Sequence, residues 1–214
     1  MTTARAGGSG AAVVLVPSAF GVGPDIEAQM EDLAADASLV VAIDPFFREG
    51  GGSVAYDDRG RAMGRVQAID RERAYRDLRA AIAWAREQSG GREVVVLGIC
   101  FGGSFALRAA ADGVADGVVT WHGTRMQDHL GRAAEMRCPM RLHFGGADPF
   151  VSAEIVEAVR AAFAARPDVH VVVHEGATHG FSHRGAPQAY HPDAERAGMK
   201  ALRALLAPGD AATS

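Results

Sequence analysis

Short apolar runs rich in β-branched residues alternate along the chain with longer stretches in which apolar residues recur every three or four positions. The runs cover residues 12–16, 39–43, 94–97, 117–121, 140–144 and 169–174. Most are continuously apolar rather than alternating, which is typical of strands covered on both faces in a parallel sheet. The pattern therefore predicts parallel strands separated by helices.

The predicted helices carry apolar stripes and have recognisable ends. The first covers residues 24–37 and begins with Pro24, a residue suited to a first helical turn. The second covers residues 71–88 and ends before two consecutive glycines. A third follows Cys100 as far as residue 107, a fourth begins after Ser152 as N-cap, and the last covers residues 193–206.

This alternation predicts an α/β fold with a doubly wound, mostly parallel sheet in a single domain. We expect the domain to cover residues 11–207, with a flexible N-terminus at 1–10 and a flexible C-terminus at 208–214. Ligands of such sheets bind outside the carboxyl ends of the strands. Residues 45–69 fit neither pattern, and a loop of that length in one domain is typical of a functional lid.

Composition narrows the class of protein. A chain of 214 residues that is 48% hydrophobic can bury a core, which excludes global disorder. The formal charge of −4 offers no basic footprint for nucleic acid, and no run approaches the ~18 apolar residues of a membrane span. Two cysteines form no disulfide framework, and residues 1–10 lack the order of a signal peptide. We expect a cytoplasmic monomer or homodimer.

The most informative segment is Gly98-Ile99-Cys100-Phe101-Gly102, which directly follows a buried strand and precedes a helix of small residues. This is the nucleophile-elbow pattern with sulfur in place of oxygen. The glycines allow strand and helix to approach, and the helix N-terminus favours the reactive thiolate. On this segment alone, a buried structural cysteine fits equally well.

Two later segments favour the catalytic interpretation. Asp148 follows the strand at 140–144, and His179 follows the strand at 169–174, so both lie at the same edge of the sheet as Cys100. Asp148 alone could be a turn residue. The order of nucleophile, acid and histidine, however, is that of the α/β-hydrolases. The sequence therefore predicts an α/β-hydrolase fold with Cys100, Asp148 and His179 as the triad.

The three segments resemble the signature segments of the dienelactone hydrolase family, and the likeness extends over about residues 12–206. The resemblance implies hydrolysis of a small-molecule lactone or activated ester without a cofactor. Carried over to this chain, it makes Cys100 the nucleophile, His179 the base and Asp148 its orienting acid. It also implies an oxyanion hole formed by the backbone N–H groups of Ala19 and Phe101.

The chain departs from the family pattern in two places. Well-studied members carry a glutamate immediately before the first oxyanion residue, where this chain has Ser18. They also grip a substrate carboxylate with two arginines. The first position falls at Arg59, with Arg61 and Arg65 as close rivals. The second falls at His183, with Arg184 beside it.

Other residues near the predicted strand ends are candidates for the substrate pocket. Phe20 and Phe181 would provide apolar walls. His122 follows the strand at 117–121, where lining the pocket and packing in the core are equally good interpretations. His179 and His183 lie in a loop rather than on a helix, which argues against a zinc motif, and we expect no metal ligands.

Two other functions compete with a lactone hydrolase. A general carboxylesterase or thioesterase would use the same triad on unrelated small esters. A non-catalytic redox-sensing domain would keep the fold and use Cys100 only as an exposed thiol. A substrate panel separates the first alternative, and alkylation of Cys100 coupled to an activity assay separates the second.

Overall fold

The computed structural model describes residues 2–5 and 7–207. Over these residues the chain forms a seven-stranded sheet with helices on both faces. The strands are β1 (Thr2–Arg5), β2 (Ala12–Val16), β3 (Leu39–Ala42), β4 (Val94–Ile99), β5 (Gly117–Trp121), β6 (Met140–Gly145) and β7 (Val169–His174). The helices are α1 (Pro24–Leu33), α2 (Arg59–Ala68), α3 (Arg71–Gln88), α4 (Gly102–Ala111), α5 (Ala153–Ala162) and α6 (Pro192–Leu206).

The order of the strands in the sheet is β1-β3-β2-β4-β5-β6-β7. All neighbours are parallel except β1, which pairs antiparallel with β3. Every residue of β2, β3, β4 and β5 is buried, which explains their continuously apolar sequences. Because the parallel strands run in one direction, their carboxyl ends meet at one edge, and the predicted α/β class and mostly parallel sheet are confirmed.

The core lies in two layers, one on each side of the sheet. Helices α1 and α6 pack on one face through Met30, Leu33 and Leu202, among others. Helices α3, α4 and α5 pack on the other face, where Leu78 and Phe105 belong to the larger cluster. None of the helices in the described part of the chain is long and apolar enough to span a membrane.

Several element bounds differ from the prediction. Helix α1 ends at Leu33 rather than at residue 37, and strands β4 and β6 extend further than predicted, to Ile99 and Gly145. Strand β1 lies within the segment expected to be a flexible N-terminus and pairs with β3 through residues 2–5. The expected flexible C-terminus at 208–214 lies outside the described residues.

The segment 45–69 is not a continuous loop. It contains a 3₁₀ turn at Phe47–Glu49 and the whole of α2, whose first turn is capped by Asp58 accepting a hydrogen bond from the Arg61 N–H at 3.1 Å. A further 3₁₀ segment, Met126–Glu135, joins β5 to β6 and was also not predicted.

Candidate active site

Cys100 lies between the last residue of β4 and the first residue of α4, with a φ of +51°. A left-handed backbone is uncommon for a residue with a side chain and is found at strained functional turns. A methyl group on Gly102 would overlap the backbone carbonyl of Val16, and one on Gly98 would lie 2.5 Å from the Gly102 oxygen. Glycine is therefore needed on both sides of Cys100 for β4 and α4 to approach this closely.

The three predicted triad residues meet at the carboxyl edge of the sheet. The His179 Nε2 lies 3.1 Å from the Cys100 Sγ, and the His179 Nδ1 lies 2.7 Å from the Asp148 Oδ2. The other carboxylate oxygen of Asp148 accepts the Phe150 N–H at 2.8 Å, which fixes the orientation of the acid. The contacts thus run in the order thiol, imidazole, carboxylate, as they do from nucleophile to base to orienting acid in a triad.

The electrostatics of His179 follow from these contacts. Burial lowers the pKa of His179, but the Cys100 thiolate and Asp148 outweigh burial and raise the pKa to about 10. The positively charged imidazolium is therefore stabilised whenever Cys100 is a thiolate. Cys100 itself is half-buried, so its sulfur remains within reach of a small molecule.

The segment that carries Ala19 is held by several hydrogen bonds. The Ser18 side chain accepts the Phe20 N–H at 3.3 Å, and the Ser18 carbonyl accepts the Gly21 N–H at 3.0 Å. The carbonyl of Ala19 accepts a hydrogen bond from Arg65 Nε at 2.8 Å. Within residues 2–5 and 7–207, neither the Ala19 N–H nor the Phe101 N–H donates to a protein acceptor, so both donors are free for a ligand oxygen.

His122 follows β5 directly and is fully buried with a φ of +40°. Its ring packs edge-on against His179 at 4.8 Å between centroids, and its Nε2 lies 3.0 Å from the Ser182 Oγ. One ligand atom each of Cys100, His122 and His179 lies within 4.8 Å of the others. His122 is therefore packed in the core and also lies against the candidate triad.

An aromatic cluster lies beside the candidate triad. His183 is buried and stacks on Tyr56 at 4.8 Å between centroids, and Phe20 contacts both rings. Burial and the nearby His179 lower the pKa of His183 to about 4, although Asp25 acts in the opposite direction. His183 is thus a neutral aromatic group at neutral pH. Phe181 is fully buried against His122 on the other side.

The arginines differ sharply in their surroundings. Arg59 is exposed at the start of α2. Arg184 is paired with Glu195 at 2.8 Å and with Asp32 at 2.6 Å. Arg65 is buried, and besides its bond to Ala19 it donates to the Gly52 carbonyl at 3.0 Å and stacks over the Phe46 ring. Of the three arginines considered for the first carboxylate position, Arg65 is the one that contacts the Ala19 segment.

Two contacts of this site were not predicted from the sequence: Tyr56 against His183, and Ser182 against His122. Phe150, which follows the predicted strand at 140–144, is exposed and lies edge-on to His179 at 4.9 Å. A cavity of ≈ 590 Å³ opens nearby and shares Phe20 and Tyr56 with the aromatic cluster, but no triad residue lines it. The only sequence signal for the contact of Ser182 with His122 was its position directly after Phe181, because neighbouring residues lie in the same turn.

Comparison with known proteins identifies the family to which the chain is similar. The family model described as the dienelactone hydrolase family matches residues 2–208. A carboxymethylenebutenolidase from Pseudomonas sp. is 32% identical over 197 residues, which are 88% of this chain and 81% of the relative.

Two solved structures are similar to this chain. A putative dienelactone hydrolase from Klebsiella pneumoniae superposes with a TM-score of 0.80 at 23% identity, covering 97% of this chain and 92% of the other. A dienelactone hydrolase-like promiscuous phosphotriesterase from metagenomic libraries superposes with a TM-score of 0.74 at 25% identity, covering 96% of this chain and 87% of the other. With an α/β-hydrolase architecture, a cysteine at the elbow and a family match over nearly its whole length, this chain belongs to the dienelactone hydrolase family.

Proposed function

We propose that this protein hydrolyses a lactone or an activated ester through a Cys100–His179–Asp148 triad and a thioester intermediate. The observation that carries the proposal is the continuous contact from the Cys100 Sγ through the His179 ring to the Asp148 carboxylate, at 3.1 Å and 2.7 Å. A relative named carboxymethylenebutenolidase supports the choice of a lactone as substrate class. The activity would be that of a carboxylic-ester hydrolase.

The reaction would proceed in two halves. The Cys100 thiolate attacks the carbonyl carbon of the substrate, and the oxyanion that forms accepts hydrogen bonds from the N–H groups of Ala19 and Phe101. The C–O bond to the leaving group then breaks, and the proton held by His179 passes to the leaving oxygen. In the second half His179 takes a proton from water, hydroxide attacks the thioester, and the acid and the Cys100 thiolate are released.

Activation of the thiol is assigned to His179. Ser18 stands where well-studied family members carry a glutamate, and its hydroxyl is occupied by the Phe20 N–H. No carboxylate is thus available from that position. Asp148 supports His179 as the proton acceptor by holding its Nδ1–H, which also sets the tautomer that faces the sulfur.

The test is rapid-quench kinetics with an activated aryl ester. We expect a burst of leaving group followed by slower turnover, and the acyl group should be found by mass spectrometry on the peptide that carries Cys100. Cys100→Ala should abolish turnover, whereas Cys138→Ala should retain it, because Cys138 is buried and burial raises the pKa of its thiol to about 11. Wild-type turnover in both Cys100→Ala and Cys100→Ser would refute the assignment.

A second candidate function is hydrolysis of uncharged esters, as in a general carboxylesterase or thioesterase. It is favoured by the surroundings of the two residues considered for the second carboxylate position. His183 is buried and stacked on Tyr56, and Arg184 is already paired with Glu195 and Asp32. A panel of anionic enol-lactones and neutral lactones of equal size decides between them. A higher kcat/KM for the neutral compounds supports this second candidate.

The redox-sensing alternative predicts a reactive thiol without turnover. Iodoacetamide labelling at mildly acidic pH separates the two, because alkylation of Cys100 must abolish ester hydrolysis if the thiol is catalytic. A reducing compartment such as the cytoplasm, which we propose as the location, would keep this thiol free.

A further inference from the structure

We infer that Cys100, His122 and His179 form a binding site for a thiophilic divalent cation of the Zn²⁺ class, which reversibly blocks the sulfur. One ligand atom of each residue lies within 4.8 Å of the others. Zn–N bonds of ~2.0 Å and Zn–S bonds of ~2.3 Å place tetrahedral ligand atoms about 3.5 Å apart. On binding, the widest separation among the three ligand atoms therefore has to shorten by about 1 Å.

His179 already has the surroundings of a metal-binding histidine. Its Nε2 faces the Cys100 Sγ at 3.1 Å, and its Nδ1 lies 2.7 Å from the Asp148 carboxylate. Metal-ligating histidines almost always donate their second ring N–H to a carboxylate, a carbonyl or water, because this fixes the tautomer and raises the basicity of the ligating nitrogen. Asp148 would serve this purpose whether His179 faces a cation or a thiolate.

His122 provides the observation that is independent of the triad. Its Nε2 is bonded to the Ser182 Oγ at 3.0 Å, while its Nδ1 is buried with no hydrogen-bond partner among the described residues. A buried polar atom without a partner costs free energy, so it calls for a ligand or a water. With the Nε2–H donated to Ser182, the lone pair is on Nδ1.

The binding step balances without any redox partner. The single proton between the Cys100 Sγ and the His179 Nε2 passes to solvent when the cation binds the thiolate and two neutral imidazoles, and His179 keeps its Nδ1–H toward Asp148. Three protein ligands leave the fourth tetrahedral position for water. One thiolate and two imidazoles suit Zn²⁺ and exclude Mg²⁺ or Ca²⁺, which prefer oxygen ligands. The bound ion occupies the sulfur and the His179 lone pair, so ester turnover stops.

The test uses Co²⁺ as a spectroscopic probe of the resting protein and Zn²⁺ as its competitor. Wild-type protein is expected to develop a thiolate-to-Co²⁺ charge-transfer band and the d–d bands of a four-coordinate ion, and Zn²⁺ should displace both. Cys100→Ser should lose the charge-transfer band. His122→Asn should weaken both cations by at least about 10-fold, since loss of a second-shell partner alone costs 10–100-fold.

The matched control is His183→Asn. His183 is also buried and also packs against His122, but it does not belong to the ligand set. The His183→Asn variant should therefore bind Co²⁺ as tightly as the wild-type protein does. Ser182→Ala provides a milder variant in case His122→Asn does not fold, because it removes only the partner of the His122 Nε2 and should weaken binding by about 10–100-fold.

Absence of the charge-transfer band in wild-type protein overturns the inference, as does equal Co²⁺ affinity in Ser182→Ala, His122→Asn and His183→Asn. The site rests on the proposed function only in that the cation blocks the proposed nucleophile. The failure of the cation site and the failure of the proposed function can be told apart, because the Co²⁺ spectrum is measured without substrate and the acyl-enzyme is measured without metal. A Co²⁺ site in a protein that forms no acyl-enzyme supports the inference and refutes the proposed function alone.

Discussion

Replacing Arg65 with methionine should damage both stability and turnover, because this side chain ties α2 to the segment that carries Ala19. The guanidinium is buried, donates to the Ala19 carbonyl at 2.8 Å and the Gly52 carbonyl at 3.0 Å, and lies over the Phe46 ring at 4.3 Å. Methionine keeps much of the length and apolar contact of the side chain but removes every donor. The buried Ala19 carbonyl and the more exposed Gly52 carbonyl would then lose their partner.

The expected cost can be worked from these contacts. A hydrogen bond from a charged donor contributes about 1.5–3 kcal/mol, and a buried cation–π contact contributes up to about 2 kcal/mol. Part of this is offset, since burial lowers the pKa of Arg65 and its Nη2 is buried without a partner in the described residues. We expect a net loss of about 3 kcal/mol in the free energy of unfolding.

The effect on turnover should be a lower kcat with a smaller change in KM. Loss of an oxyanion donor costs about 10²–10³ in rate, and a displaced Ala19 N–H should cost less, roughly 10-fold or more. Urea unfolding and steady-state kinetics measure the two effects. Arg61→Met is the matched control, because Arg61 is exposed on the same helix. If Arg65→Met and Arg61→Met unfold at the same urea concentration with equal kcat, the reasoning is wrong.

Two further predictions concern the elbow and the acid stability. Gly102→Ala should lower the free energy of unfolding by about 1–3 kcal/mol and abolish most turnover, because the added methyl group overlaps the Val16 carbonyl. Gly64→Ala is the control: it lies in open space on α2 and should raise the free energy of unfolding by about 0.5–1 kcal/mol. Thermal unfolding and an ester assay measure both effects. His183 has a folded pKa of about 4 against about 6.5 unfolded, so its contribution is complete above about pH 6.5 and is lost as the pH falls to about 4. The decrease in unfolding free energy from about pH 7 to pH 4 should therefore be about 3 kcal/mol smaller in His183→Phe, and an unchanged decrease contradicts the assigned burial.

The parts of the fold that were predictable are those in which burial dictates the sequence. Strands β2 and β5 were predicted with the observed bounds, since both of their faces are covered and nearly all of their residues are apolar. Helix α2 was missed for the converse reason. It contains two glycines and several arginines and buries only Ala62 and Arg65, so the contacts of one arginine hold it in place instead of an apolar stripe.

The candidate triad was predictable because each residue follows a parallel strand, and such strand ends meet at one edge. The contact of His122 with this site depends on something that sequence does not contain, the register of neighbouring strands. Ile99 pairs with Trp121, so the next residues, Cys100 and His122, lie side by side where their strands end. Both then turn into a left-handed conformation, the Cys100 N–H donating to the Trp121 carbonyl and the His122 N–H to the His143 carbonyl. The two side chains are therefore brought together by the sheet itself, which is why His122 reaches the sulfur although no motif marks it.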